Sequence, residues 1–581
     1  MSFPQIQQLE TNDEGKPYQN TSAIELPNDE NHTAEGLEAP PCPAIRSNVL
    51  VLRRGRLVEL PADSMSDYDV VPGTVYLVEG SHQAGARNDI ILLPTPSSDI
   101  KDPLASFKLT LIRAYSSLLG ALTNWESVIY LNLTAAYRTP ITNLNIGQAI
   151  MLLLLGVGNV FFVPLSNKLG RRSIYIWTLV LVLASQIWMI FCRNIGDFQG
   201  AHVILGLGAA PFEALVAISI SNVYFAHERG SKLGVYVFGL AFGSFVGPIC
   251  AGYMAVDQGW RWIYRWGAIL TGGLLVLFYL TFEETHFVRE VDAQEGHVVA
   301  LESVDEEHRR QSLGAGSLKT KKMDQDIGNE LQRETTHSLT AGELEVFREF
   351  YRPLQLSIFL AVLWCGINYG TCVSWLAVMG TTIAEVFARP PYLFSPSDLG
   401  LIWIFPMIGS LIGAYFSGPL NDRLTLYLST RNRGWREPEF RLWAFIPSAV
   451  IMPCGLIMYG VTSAHGLHWI TPIVGTGFVG FGLSVGGTVS IAYIVDCYKD
   501  IDTQAVTTII LIRNIVGFAI TWGIQPWIDG MGQQNAFILV GVLSFVITGF
   551  AGVFIAWGKG MRRWTAGRYA ALAAEAARVE S

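Results

Sequence analysis

Four ionisable side chains stand inside apolar stretches of this chain. Glu213 lies within the run GLGAAPFEALVAISI, His202 precedes it by eleven residues, Glu126 follows Asn124-Trp125, and Arg513 precedes Asn514. An ionised carboxylate in an apolar medium is costly, and one left unpaired there holds its proton more tightly. The chemistry open to Glu126 and Glu213 is therefore to take up and release protons, or to neutralise a buried cation. Arg513 is a candidate partner for either. His202 changes charge near neutrality. On one continuous helix it would share a face with Glu213 at a separation of roughly 16 Å. The two cannot touch, but they can serve one aqueous cavity at two depths; a structural histidine near the outer surface is the other reading of His202. Asn124, Asn368 and Tyr369 add polar and aromatic groups from two further apolar stretches.

The elements that must hold these groups follow from composition. Of 581 residues half are hydrophobic and 15% charged, with 57 Gly and 16 Trp. A soluble protein of this length carries about a quarter charged residues, so the deficit points to lipid as the solvent. Crossing hydrocarbon takes about 20 apolar residues. Twelve stretches qualify: 109–131, 146–165, 174–191, 198–224, 233–254, 262–282, 354–378, 401–420, 442–461, 469–494, 506–527 and 536–557. The expected organisation is a disordered N-terminal tail (1–105), a six-helix bundle (106–283), a polar central loop (284–352), a second six-helix bundle (353–558) and a C-terminal tail (559–581). That last tail is expected to form a short helix whose Lys559, Arg562, Arg563 and Arg568 lie near anionic lipid. Lys and Arg concentrate about two to one in the loops on the N-terminal side of the membrane, which places both termini in the cytoplasm. The seven cysteines have no metal-ligand spacing and read as buried thiols. No metal, cofactor or nucleic-acid partner is expected.

An internal repeat shows faintly. Pro164-Leu165-Ser166-Asn167-Lys168-Leu169-Gly170-Arg171-Arg172 follows the second stretch, and Gly418-Pro419-Leu420-Asn421-Asp422-Arg423 follows the eighth. The fifth stretch carries Gly243-x-x-x-Gly247-Pro248-x-x-x-Gly252, small residues at a spacing that lets helix backbones approach closely. Gly409, Gly413 and Gly418 of the eighth offer it a mate.

At these residues the chain resembles the major facilitator superfamily, in its fungal twelve-span drug:proton antiporter branch. The resemblance covers about 89–564. The basic loop matches the family's gating signature at Leu165, Lys168, Gly170, Arg171 and Arg172, with Asn167 in place of the family's Asp. The resemblance implies that this loop, with Glu228 and Arg229 after the fourth span and Asp422-Arg423 after the eighth, latches the two halves; the weakened first latch leaves the Asp422-Arg423 pair in the second half. The Gly243 to Gly252 stretch matches the antiporter signature. Gly206 and Gly208 match another family motif, whose membrane arginine is replaced by His202. The implied fold is all-α, two six-helix bundles related by an axis along the membrane normal. The implied function is proton-coupled efflux of a small organic molecule, such as a drug, toxin or secondary metabolite, by a monomer in the plasma membrane. No nucleotide-binding loop is visible, so the expected energy source is a proton gradient, and no enzymatic constellation appears. Uptake of a cationic nutrient such as a polyamine would use the same carboxylates as counter-charges. A non-transporting sensor signalling through the long tail is the third reading.

Overall fold

The computed structural model describes residues 49–53, 56–60, 75–76, 106–223, 229–282, 351, 353–432 and 435–580. The chain divides into two units, residues 1–66 and 67–581. The first contains an antiparallel hairpin of β1 (Val49–Arg53) and β2 (Arg56–Leu60), with Val49 opposite Leu60 and Arg53 opposite Arg56. Its strands are built on β-branched and leucine positions. In the second unit β3 (Val75–Tyr76) pairs antiparallel with β4 (Trp435–Arg436). The segment expected to be a disordered tail therefore contains three strands. The expected central loop falls outside the described residues except for Tyr351.

In hydrocarbon a backbone must satisfy its own polar groups, and helices do this within one segment. Helices occupy all twelve expected stretches. In the N-terminal half they are α1 (Ser106–Asn124), α2 (Tyr130–Tyr137), α3 (Ile141–Leu169), α4 (Arg171–Phe191), α5 (Ile195–Ala209), α6 (Pro211–Val223), α7 (Arg229–Asp257) and α8 (Arg261–Thr281). In the C-terminal half they are α9 (Leu360–Phe387), α10 (Pro396–Ile402), α11 (Ile404–Tyr415), α12 (Asn421–Arg431), α13 (Phe445–Ala464), α14 (Ile470–Cys497), α15 (Asp502–Met531), α16 (Gln533–Gly549) and α17 (Ala551–Glu580). Among the described residues nine helices are long and apolar enough to cross a membrane. Several expected spans are interrupted where the sequence suggested continuous rods. A 3-10 turn, Trp125–Val128, separates α1 from α2. Ala210 separates α5 from α6, and a π-helical turn, Phe416–Leu420, containing Pro419, joins α11 to α12.

The faint repeat in the sequence is clear in the packing. Span 1 packs on span 5 (α1 on α7) as span 7 packs on span 11 (α9 on α15); span 3 packs on span 6 (α4 on α8) as span 9 packs on span 12 (α13 on α16). Spans 2 and 4 (α3 on α5) meet as spans 8 and 10 do (α11 on α14). The halves join along two equivalent seams, α3 on α15 and α7 on α10 and α11.

The glycines of α7 explain its seams. A Cβ at Gly243 would collide with the carbonyl of Ser117, and one at Gly247 would stand 2.7 Å from that of Ala121, so this part of the stripe seats α7 on α1. At Gly252 the obstacle is the Pro396 carbonyl at 2.5 Å, and a Cβ at Gly400 would lie 2.9 Å from the Pro248 carbonyl. Within this glycine stripe, span 8 meets span 5 at Pro396 and Gly400. The expected mates Gly409 and Gly413 face Gly477 and Phe481 of α14, and Gly418 has open space around its Cβ position. The C-terminal helix also departs from expectation. Arg562 is buried and donates to both carboxylate oxygens of Glu439, at 2.8 and 2.7 Å, and Lys559 donates to Glu437 at 2.9 Å. Two of the four basic residues expected near lipid thus bind the segment before α13.

Gly247→Val should overpack the α1–α7 contact and cost about 1–3 kcal/mol. Gly273→Ala, on α8 with nothing within 4 Å of its Cβ position, should melt like the parent. Thermal melting of the purified protein in detergent checks both.

Candidate functional site

The break in span 4 builds the centre of the molecule. Pro211 has no N–H and cannot continue the ladder, and Ala210 closes a tight turn by donating to the Leu207 carbonyl at 3.3 Å. The helix restarts at Pro211, which sets Glu213 in the first turn of α6. A carboxylate there lies at the positive end of the helix dipole. Glu213 and Arg513 are both buried and form an ion pair from α6 to α15, across the two halves. Asn514 completes the cluster: its Nδ2 donates to Glu213 Oε2 at 2.9 Å, and its Oδ1 accepts from Arg513 Nη2 at 3.0 Å. The guanidinium carbon stands 4.9 Å from the centre of the Tyr369 ring. Glycines bring α15 inward. A Cβ at Gly156 of α3 would lie 2.7 Å from Asn514 Cβ, and one at Gly370 of α9 would lie 3.0 Å from Arg513 Cα.

A cavity opens beside this cluster, walled by α1, α3, α6, α7, α9, α14 and α15. Its polar groups are Thr123, Asn124, Gln148, Glu213, Ser244, Tyr369 and Arg513; the remaining walls are apolar, including Met151, Leu155, Phe212, Val373, Leu376 and Leu483. Gln148 is fixed by donating to the Thr123 carbonyl at 3.0 Å. Gln148, Thr123 and Ser244 are cavity groups that the sequence did not single out, because isolated polar residues in apolar helices resemble ordinary packing positions.

Glu126 and His202 form a second buried pair, outside the cavity wall. The 3-10 turn after α1 carries Glu126 away from Asn124 and toward α5, where His202 Nε2 lies 3.0 Å from Glu126 Oε2. The other ring nitrogen, Nδ1, faces the Phe198 carbonyl at 2.9 Å. A carbonyl only accepts, so Nδ1 carries a hydrogen. The Nε2 to Oε2 contact then holds one proton, on the imidazole or on the carboxyl. His202 and Glu213 do not share a cavity as expected: the interruption at Ala210 separates them, and each has its own partner.

Asn368 is not a cavity residue. It is fully buried and its Oδ1 accepts from Thr548 of α16 at 3.0 Å. At one end of the C-terminal half, Asp422 pairs with Arg441 at 2.9 Å in place of the expected Arg423. Arg441 also donates to Asp496 at 2.5 Å, and Arg436 donates to the same carboxylate at 2.6 Å. Asp496, unremarked in the sequence, could have been found as the carboxylate closing the otherwise uncharged span 10. In the N-terminal half, Gly170 has φ 81°, which explains a glycine in the basic loop. Arg171 is buried, Lys168 is exposed, and Arg172 donates to the Tyr279 carbonyl at 2.8 Å. Only the backbones of Asn167 and Arg229 are described, and Glu228 lies outside the described residues.

Known proteins share this architecture. The model of the Major Facilitator Superfamily matches residues 115–484. An uncharacterized MFS-type transporter, C1271.10c, of Schizosaccharomyces pombe is 30% identical over 544 residues, covering 86% of this chain and 94% of its own. Protein HOL1 of Saccharomyces cerevisiae is 27% identical over 562 residues, covering 86% and 96%. The probable efflux pump mfs2 of Aspergillus flavus is 26% identical over 430 residues, covering 73% and 95%. Among solved structures, the proton:xylose symporter XylE bound to 6-bromo-6-deoxy-D-glucose has the same fold, with a TM-score of 0.52 at 16% identity over 77% of this chain and 95% of the symporter.

Replacing Arg513 by Met should strand the Glu213 carboxylate in the interior and cost about 3–5 kcal/mol. Adding Glu213→Gln should recover much of that loss. A double-mutant cycle on melting midpoints reads the coupling; additive losses would show that the pair does not hold the halves together.

Proposed function

The chain belongs to the major facilitator superfamily, and from that premise we propose that it exports a small organic solute in exchange for protons by alternating access. It is an integral, multi-pass membrane transporter and not an enzyme. The observation that carries the proton reading is the contact between Glu126 and His202. With Nδ1 committed to Phe198, losing the shared proton leaves two acceptors face to face, while a second proton is accommodated on the other carboxyl oxygen, Oε1. The contact therefore responds to the loss of a single proton, as a coupling site must.

In the proposed cycle the Glu213–Arg513 pair reports the position of the two halves. It crosses between them, so rocking has to lengthen or break it. A proton on Glu213, or a polar group of the solute beside Arg513, lowers the cost of parting the pair. Protons from the outer side load Glu126 and Glu213 as solute leaves, and they depart inward when the next solute binds. The apolar cavity walls suit a partly apolar cargo. The cavity's carboxylate is already neutralised by Arg513, which favours a solute without a fixed positive charge over a polyamine. The likeness to a probable efflux pump supports outward transport. The distribution of Lys and Arg supports both termini in the cytoplasm.

Cells expressing the chain should accumulate less of at least one member of a panel of radiolabelled, partly apolar uncharged metabolites, and a protonophore should abolish the difference. Higher accumulation would reverse the direction. In proteoliposomes Glu126→Gln should keep solute exchange at equal pH but lose at least tenfold in gradient-driven transport. Full gradient dependence in that variant would remove Glu126 from the scheme.

A further inference from the structure

Several buried polar atoms lie behind the cavity wall, in the core of the N-terminal half. Glu126 Oε1 has no hydrogen-bond partner among the described residues, nor do the hydroxyl of Tyr264, both terminal atoms of Gln186 and the hydroxyl of Thr271. All four side chains are at least nine-tenths buried. They come from separate elements but converge. Tyr264, Gly267 and Thr271 share one face of α8. The Trp125 ring meets Tyr264 edge-on at 6.2 Å between centroids. At Gly267 a Cβ would run into that same Trp125 ring and would lie 2.7 Å from Gln186 Oε1. The absence of a side chain at Gly267 is what admits Gln186 of α4 beside Trp125, next in sequence to Glu126. The Tyr264 phenol approaches the Glu126 carboxylate closely enough to interact with it electrostatically and through a hydrogen bond too loose to satisfy either group. None of Glu126, Gln186 or Tyr264 belongs to the cavity wall.

Unpaired amide and hydroxyl groups in a protein interior each cost on the order of 1–3 kcal/mol. A buried water is stable where two to four polar groups converge on it, and a water chain also carries protons. We infer that Glu126 Oε1, Tyr264 and Gln186 hold ordered water between α1, α4 and α8, a site through which Glu126 exchanges its proton apart from the solute cavity. This rests on the proton-coupled reading only for its role in transport; the water site itself stands on the geometry. Gln186 and Tyr264 are then positioning residues. They favour the ionised carboxyl by donating toward it through water, while His202 holds the opposite oxygen. The other titratable groups in electrostatic reach of Glu126 are Tyr130 and Tyr137 of α2 and Cys192 after α4. Tyr137 and Cys192 in turn face Asp197 and Arg261 at the bundle end. These groups stay in place in the variants below.

The test is an infrared titration of the full-length protein in lipid nanodiscs. The protonated-carboxyl band of Glu126 is assigned by its loss in Glu126→Gln. Tyr264→Phe, which removes one hydroxyl and keeps the ring, and Gln186→Leu should each raise the midpoint of that band by about one pH unit, because each removes donors to the ionised form. Gln186→His should bring the midpoint back toward that of the parent. Unchanged midpoints in both variants would overturn the inference, as would the lack of any titrating band from Glu126. Shifted midpoints in a protein whose transport ignores the proton gradient would sustain the water site and defeat the proton-coupled reading.

Discussion

The ion pair between Glu213 and Arg513 is the constraint on which the centre of this molecule depends. Two charges far from water are tolerated only when paired and hydrogen-bonded, and the loss of either partner leaves the other stranded. The chain meets that condition with parts drawn from both halves: a carboxylate from α6, a guanidinium and an amide from α15, and an aromatic face from α9. Gly156 and Gly370 then let the backbones come close enough for the charges to meet. The pair is held by crowding, and it joins the two halves of the molecule.

Both carboxylates sit where a helix is interrupted. Glu126 lies in the 3-10 turn between α1 and α2, and Glu213 in the first turn after the break at Ala210. Irregular backbone within a bilayer is tolerated where protein or a cavity surrounds it. An interruption also turns successive side chains in new directions. Thr123 and Asn124 face the cavity while Glu126, only two residues further, turns to His202. One short segment thereby lines the cavity and supplies the Glu126–His202 pair without merging them.

Much of this was legible in the sequence, and what was not has physical reasons. Stretches of about 20 apolar residues announce themselves wherever lipid is the solvent, and Arg513 stood out as a partner because so few cations enter those stretches. The break at Ala210 did not, since a proline in a membrane helix is often accommodated without one. Asn368 was misplaced because α9 is apolar on nearly every side and buried along most of its length, so its periodicity does not say which face meets the cavity. Gly409 and Gly413 announced a close approach but not the helix approached. The pairing of Asp422 with Arg423 was avoidable: adjacent residues on a helix do not face one another, and the partner, Arg441, comes from beyond the next loop.

The small ladder of β3 on β4 gives the long segment before α1 a mechanical meaning. Arg436 is paired by its backbone to Val75 and by its side chain to Asp496 at the end of α14. Tension on residues 75–76 is therefore borne by a charged network at the end of span 10, a helix that also walls the cavity through Leu483.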